Sequence, residues 1–294
     1  MTVKEAEQML IDAYSNYSLP EENKVMLIEA LEYLIEETHN PEHMMHLGGI
    51  YYDDRRFDLA LKYYEMAATF DHTPAFECLG YIWFYGRTGE VDYKKAYENY
   101  SKAAQRGDTV AEYKIADMYR NGYYVTKDYE RYCRMIEDIY RRISHFTWID
   151  SEPIPEICLR LSEIRREQGR TDEAIELLFR ARQELEAILE YDPFFGSLRN
   201  MEWAIRDMYQ LIEFDYTDFG LFDLYYLFDN PCKVTFRYEG EKHEVESVEE
   251  DGMMAVRLDD KWYRSVREFF DNACIGDDRV ATLAGCVYEM EVIR

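Results

Sequence analysis

Near the N-terminal end of the chain, His39, His43 and His46 lie close together with Glu42 beside them. On a helix, His43 and His46 share a face, and paired imidazoles of that kind can hold a zinc ion. The spacing is not that of H-E-x-x-H, and we expect no metal. Cys133 lies between Arg131 and Arg134, and cationic neighbours favour a reactive thiolate. A packed helix residue is the preferred reading of it. No G-x-S-x-G elbow, P-loop or G-x-G-x-x-G occurs. With 60 Asp and Glu in 294 residues, every catalytic carboxylate spacing arises by chance, so no pair is singled out. We therefore expect no catalytic residue, no cofactor and no enzyme. If an undetected enzyme were present, it would sit at the C-terminal end and use His243 or Cys274.

The formal net charge is −26. Such a surface repels phosphate backbones and anionic membranes, so neither nucleic acid nor membrane is expected as a partner. Hydrophobic residues at 47% and aromatics at 16% exclude a disordered acidic tail. The six cysteines are scattered with no C-x-x-C pair, which fits buried thiols in a reducing compartment. The first twenty residues lack the apolar run of a signal peptide. A cytoplasmic protein is expected.

The elements that would position a site are repeats. PAFECLGYIWFYGRTGEVDY from Pro74 aligns with VAEYKIADMYRNGYYVTKDY from Val110 at an offset of 36 residues. Ala75 falls on Ala111, Leu79 on Ile115, Gly80 on Ala116, Gly86 on Gly122, and Asp92 on Asp128. Ala67-Ala68 recurs as Ala103-Ala104. An earlier copy contains Leu47-Gly48 and lacks about four loop residues before Ala60. Each copy reads as a helical hairpin. Met44, Leu47 and Tyr51 share one face of the first helix, and Ala60, Tyr63, Tyr64 and Ala67 one face of the second. Gly48 and Gly80 stand where the two helices approach closely. Gly86 and Gly122 stand where the first helix must stop. A degenerate fourth copy carries Leu161 and Ile164, then Gly169, Asp172 as a helix cap, Ala174 and Ala181. One hairpin cannot bury its own apolar face, so the copies must stack.

These residues resemble the tetratricopeptide repeat superfamily, and its Sel-one-like branch in particular, over about residues 41–185. The second copy carries A-F-E-C-L-G-Y-I-W-F-Y-G and then K-A-Y-E-N-Y-S-K-A-A from Lys95. The third departs at Ala116 and at Tyr132, which replaces the second-helix Ala. The first and fourth look more like ordinary tetratricopeptide units. The resemblance implies an α/α solenoid whose concave face, lined by first helices, binds another protein or peptide. Its groove positions fall here on Met45, Gly49 and Tyr52 in copy one, and on Glu77, Tyr81, Phe84 and Tyr85 in copy two. They fall on Tyr113, Asp117, Arg120 and Asn121 in copy three, and on Leu159, Glu163 and Arg166 in copy four. Aromatic and Arg residues on an open groove have the composition of interface hot spots. The competing expectation is that flanking helices cover them.

Two further helices precede the repeats. One carries Met9, Leu10 and Ala13. The other follows Pro20, starts at Glu21 and Glu22, and puts Val25, Ile28, Leu31, Leu34 and Ile35 on one stripe. After Pro193 come an amphipathic helix over SLRNMEWAIRDMYQLIEF and the segment DFGLFDLYYLF. The pattern then changes to period 2. Val234, Phe236 and Tyr238 alternate with polar residues, and Gly240 turns the chain. His243, Val245 and Val248 continue in an extended stretch. Asp251-Gly252 signals a hairpin, with Met254, Val256 and Leu258 after it. Lys261–Tyr263 extends a strand, Ser265 caps a helix through Phe270, and Cys286 to Ile293 reads as a last strand.

The expected fold is mainly α. An α/α solenoid of tetratricopeptide and Sel-one-like hairpins is followed by a small α+β domain with antiparallel strands. The expected domains are capping helices over 1–40, the repeats with terminal helices over 41–213, and the α+β domain over 214–294. The expected function is a non-enzymatic scaffold or adaptor. The alternative is an acidic inhibitor or immunity-type protein that blocks a basic enzyme. The charge is uneven: −11 over 1–119, zero over 120–182 and −15 over 183–294. The neutral centre holds Arg120, Arg131, Arg134, Arg165 and Arg166, which could receive an acidic partner.

Overall fold

The structure, a computed structural model, describes residues 1–14, 21–147, 152–191, 194–250 and 252–293. The expectations placed on Pro20, Pro193 and Asp251 lie outside the described residues. The chain divides into two compact units, Met1–Met135 and Ile136–Arg294.

The first unit is built of helical hairpins: α1 (Val3–Tyr14), α2 (Glu21–Thr38), α3 (Pro41–Asp53), α4 (Phe57–Ala68), α5 (Thr73–Tyr85), α6 (Tyr93–Ala104) and α7 (Thr109–Asn121). The next helix, α8 (Tyr129–Ile143), crosses the division between the units. Side chains set where these helices begin. Asn40 accepts from Glu42 N–H, Asp92 from Lys95 N–H and Asp108 from Ala111 N–H, each satisfying an amide that the helix cannot. Gly86 at φ 60° and Gly122 at φ 77° end α5 and α7 in the left-handed conformation, which disfavours any residue with a Cβ.

The hairpins close around one repeated contact. A Cβ on Gly48 would lie 2.4 Å from the Tyr64 ring, and one on Gly80 would lie 2.5 Å from the Tyr100 ring. Each tyrosine of the second helix fills the space that glycine leaves on the first. Tyr100 is wholly buried between Ala96 and Ala103. In the third copy the sequence has Ala116 and Ile136 at the equivalent positions. The apolar stripe of α2 is buried at Leu31, Leu34 and Ile35, as expected, and differs at its start. Val25 is exposed, and Leu27, Ala30, Leu31 and Leu34 face the core.

In the second unit, α9 (Ile154–Glu167) pairs with α10 (Thr171–Tyr191), followed by α11 (Phe195–Met208) and the short α12 (Leu224–Leu227). The fourth hairpin is present, with Leu161 and Ile164 buried alongside Ala174, Leu178 and Ala181. Asp172 does not cap it, because α10 already begins at Thr171. The amphipathic helix expected from Ser197 on stops at Met208. A turn of 3-10 helix at Leu221–Asp223 then buries Asp223 completely. Its carboxylate accepts from both Arg182 amino groups at 2.9 and 3.0 Å, from Tyr209 Oη at 2.8 Å and from Gly220 N–H at 2.7 Å. One buried charge thus ties α10, the end of α11 and the turn before α12.

The sheet strands are β1 (Cys232–Tyr238), β2 (Glu241–Glu250), β3 (Met253–Leu258) and β4 (Lys261–Tyr263). After α13 (Val266–Asn272) come the short pair β5 (Cys274–Ile275) and β6 (Asp278–Arg279), and then β7 (Tyr288–Ile293). The five-stranded sheet has the order β4-β3-β2-β1-β7 with antiparallel neighbours. Glu239 and Gly240, both at positive φ, make the β1–β2 turn, the two-residue type that matches strand twist. On β2 the buried positions are His243, Val245 and Ser247. Val248 lies on the other face, because the side-chain period is two. Ser265 caps α13 by accepting from Glu268 N–H. Glu202 on α11 accepts from Arg206 at 3.0 Å and from Arg267 of α13 at 2.7 Å, which fastens α13 to the helical part of this unit.

Three substitutions test this packing. Gly80→Ala should lower stability by about 1–3 kcal/mol through overpacking. Gly49→Ala, with nothing within 4 Å of its Cβ, should raise it by up to about 1 kcal/mol. Opposite shifts of the denaturant midpoint would bear this out. Asp223→Asn takes from Arg182 its buried charge partner and leaves it only the more exposed Glu186, which should destabilise by about 3–5 kcal/mol, read in the same measurement.

Candidate partner-binding surface

In the first unit, the C-terminal half of α5 brings aromatic rings together with two cations. Tyr52 meets Tyr81 edge-on at 6.1 Å between ring centres, and Tyr81 lies 4.4 Å from Tyr85. Both geometries are favourable for rings beyond their area of contact. The left-handed Gly86 returns the chain over the end of α5, where Arg87 N–H reaches the Ile82 carbonyl at 3.0 Å. That turn places the Arg87 guanidinium 5.4–5.9 Å from the rings of Tyr52, Phe57, Tyr81 and Tyr85. From α7, buried Lys114 donates to Tyr85 Oη at 3.1 Å and stands 5.1 Å from the Tyr113 ring. A cation among aromatic faces gains about 0.5–2 kcal/mol.

The expected groove residues divide into several groups. Tyr52, Glu77, Tyr81 and Phe84 are half-buried, and Tyr85 is exposed. Burial, and then the neighbouring Tyr81, push the Tyr52 hydroxyl up to about 12. Phe84 turns toward a second aromatic group, 5.4 Å from Tyr93 and 5.9 Å from Tyr123. Met45 is half-buried and packs on the core of the first unit. Gly49 is half-buried. Tyr113 is buried, so its ring supports Lys114 and is not presented to a partner. Asp117 and Arg120 are half-buried. Exposed Asn121 donates to the Asp117 carbonyl, and Arg120 lies over the Tyr132 ring at 5.3 Å.

In the second unit, Leu159 is completely buried. It belongs to the core of the α9–α10 hairpin and offers no surface, which corrects its placement on a groove. Glu163 and Arg166 are half-buried. Arg166 pairs with Asp207 at 3.5 Å and bonds Gln210, and Arg165 pairs with Glu137 and Glu173. In the first unit Arg134 pairs with Glu130, and Arg131 stacks over Tyr119 at 4.0 Å. The neutral central segment thus spends much of its positive charge internally.

Phe57, Arg87 and Lys114 were missed at the level of sequence. The signal for Arg87 is its place directly after a left-handed glycine, which folds the side chain back over the helix end. His39 and His46 are exposed and His43 is half-buried. Among the described residues no group of three His, Cys, Asp or Glu gathers to hold a metal, and all six cysteines are free thiols. No described helix is long and apolar enough to cross a membrane.

Residues 44–69, 79–108 and 109–131 match the Sel1 repeat family. These three segments are Sel1 repeats. The first copy is included, although its shortened loop had made it look like an ordinary tetratricopeptide unit. The matched segments stop at residue 131 and do not include the α9–α10 hairpin. The fold is similar to that of c5321, a protective antigen present in uropathogenic Escherichia coli strains displaying an SLR fold. Identity there is 19%, with 73% of this chain and 51% of that one covered and a TM-score of 0.51. The chain thus spans about half the length of c5321. A Sel1 repeat protein from Oxalobacter formigenes is also similar, at 20% identity over 61% of this chain and 67% of that one, with a TM-score of 0.47. None of the curated proteins compared matches the sequence.

Glu77 lies half-buried on the α5 helix of this surface. Burial first, and then the Asp108 charge, raise its carboxyl to about 7, while Lys114 and the Cys78 thiol partly offset them. The folded pKa lies above the unfolded one, so the folded state holds the extra proton between about pH 4.5 and 7. Stability from this group is present below that window and is lost as pH rises through it. Glu77→Gln should therefore match the parent near pH 4.5 and become progressively more stable than it toward pH 7 and above, as thermal unfolding at a series of pH values would show. Parallel curves would contradict the assignment.

Proposed function

We propose that this chain is a non-enzymatic interaction protein that binds another protein through its Sel1 repeats. The observation that carries this reading is the group of half-buried and exposed rings at Tyr52, Tyr81 and Tyr85, held around Arg87 and Lys114. Rigid aromatic and cationic side chains on a surface are the composition of binding hot spots. They are held by ring contacts and by the helix ends, so little side-chain entropy remains to be lost on binding. Glu77, Phe84, Asp117, Arg120 and Asn121 extend the proposed surface around this centre. The proposed division of labour is capping by residues 1–40, partner binding by repeats within 41–213, and closure of the chain by the α+β domain of 214–294. The anchoring of α13 through Glu202 and Arg267 supports a structural role for that last domain.

The test is affinity purification with the full chain and its Tyr52→Ala/Tyr81→Ala/Tyr85→Ala variant. The buried Tyr113 is left intact, and circular dichroism confirms folding. At least one partner held by the parent should fall about tenfold or more in the variant, and its retention should survive high salt, since apolar burial is screened little. An identical partner set would refute the surface. Retention that collapses with salt in parent and variant alike would favour the acidic-inhibitor alternative.

A further inference from the structure

The second helix of the repeat begins alike in copies two and three. Asp92 accepts from Lys95 N–H at 3.0 Å, and Asp128, 36 residues later, accepts from Arg131 N–H at 2.8 Å. The position 36 residues before Asp92 is Arg56. Arg56 opens α4 with no side-chain acceptor for its first amides. A carboxylate at the positive end of a helix dipole has been exchanged for a cation, which is unfavourable by itself.

Arg56 is not alone. It lines an open cleft of about 560 Å³ together with Arg55, Arg87, Thr88, Phe57 and Asp58. Arg55 is exposed and takes a φ of 58°. Arg56 lies over the Tyr51 ring at 4.7 Å. Arg87 stands among four rings, donates weakly to Tyr81 Oη at 3.4 Å, and has a buried Nε with no hydrogen-bond partner. Among the described residues, none of these three guanidiniums forms an ion pair with a carboxylate. In a chain with a net charge of −26, acidic side chains are abundant, yet Asp58 is the one carboxylate among the residues that line this cleft.

We propose that this cleft binds a phosphomonoester group. Three guanidiniums and Asp58 leave a charge of about +2, which matches the roughly −2 of a phosphomonoester at neutral pH. A carboxylate would leave one positive charge over. Guanidinium forks pair with phosphate oxygens two at a time. The Thr88 hydroxyl on the cleft wall adds a further donor. The volume is in the range of small-molecule sites, so the cleft has room for the organic group that carries the phosphate, with the Phe57 ring as an apolar wall.

Calorimetric titration of the full chain at low ionic strength tests this with phosphotyrosine, phosphoserine, inorganic phosphate and acetate. The phosphate-bearing probes should saturate and acetate should not. Affinity should fall about tenfold from neutral pH to pH 5, because the second phosphate pKa is near 6 and arginine does not titrate there. Arg55→Gln/Arg56→Gln, both on the surface, and separately Arg87→Gln should each weaken binding at least about tenfold, with folding checked by circular dichroism. Tighter binding of a phosphoamino acid than of inorganic phosphate supports the organic ester. Binding of inorganic phosphate alone overturns that part. Equal binding of acetate, absence of saturation by any phosphate probe, or unchanged affinity in the variants overturns the site. No partner protein enters this experiment, so its outcome is independent of the partner-binding reading.

Discussion

In the first two Sel1 repeats a whole tyrosine ring occupies the volume that any side chain on the facing first helix would need. Gly48 receives Tyr64 and Gly80 receives Tyr100. Interiors are close-packed, so this exchange sets how near the two helices of a hairpin can come. It also places the next first helix, and hence which of its residues face inward. The spacing between the paired positions is sixteen residues in copy one and twenty in the others, which is the four-residue loop difference seen in the alignment. The hairpin packing is conserved while the connection varies, as expected when ordered loops tolerate insertion and cores do not.

That shorter connection has a local consequence. In copy one the chain passes from α3 to α4 through Arg55 and Arg56, where copy two has room for an aspartate cap. The same place lies beside Arg87, which a left-handed glycine folds back from the end of α5. Arg55, Arg56 and Arg87 are thereby gathered at one edge of the aromatic group, against the negative balance of the segment around them. In the second unit arginines behave differently. Arg182, Arg165, Arg199 and Arg267 are each matched to carboxylates, and the buried Asp223 and Glu202 are fully engaged. Buried ion pairs there fix the geometry of elements. The unpaired arginines of the first unit are free to act on something else.

Much of the candidate surface was legible in the sequence, and the reason for each failure is physical. Tyr52, Tyr81 and Tyr85 are correctly placed on first helices because the 36-residue alignment fixes helical register. Leu159 failed because the α9–α10 hairpin buries more than one face of α9, and periodicity along one helix marks a single apolar stripe. Tyr113 failed for a related reason, since α7 is buried along most of its length. Val25 failed because Leu27, Ala30, Leu31 and Leu34 define the buried face of α2, which turns Val25 outward. Arg87 went unnoticed because it belongs to a turn between helices, where side-chain direction follows backbone angles and not a period, and Phe57 because its place at the start of α4 sets it against Tyr52 of the preceding helix.

The sequence by itself determined the repeats, their length, the helix stops at Gly86 and Gly122 and the change to strands near residue 232. Those features rest on caps, left-handed glycines and hydrophobic period, which act over a few residues of the chain. Only the tertiary structure decided which tyrosines are core and which are surface. Nor did the local pattern reveal that Arg55, Arg56 and Arg87 share a cleft, or that Asp223 is a buried junction. Exposure and charge pairing depend on what a neighbouring element covers, and that is set by packing between residues far apart in sequence.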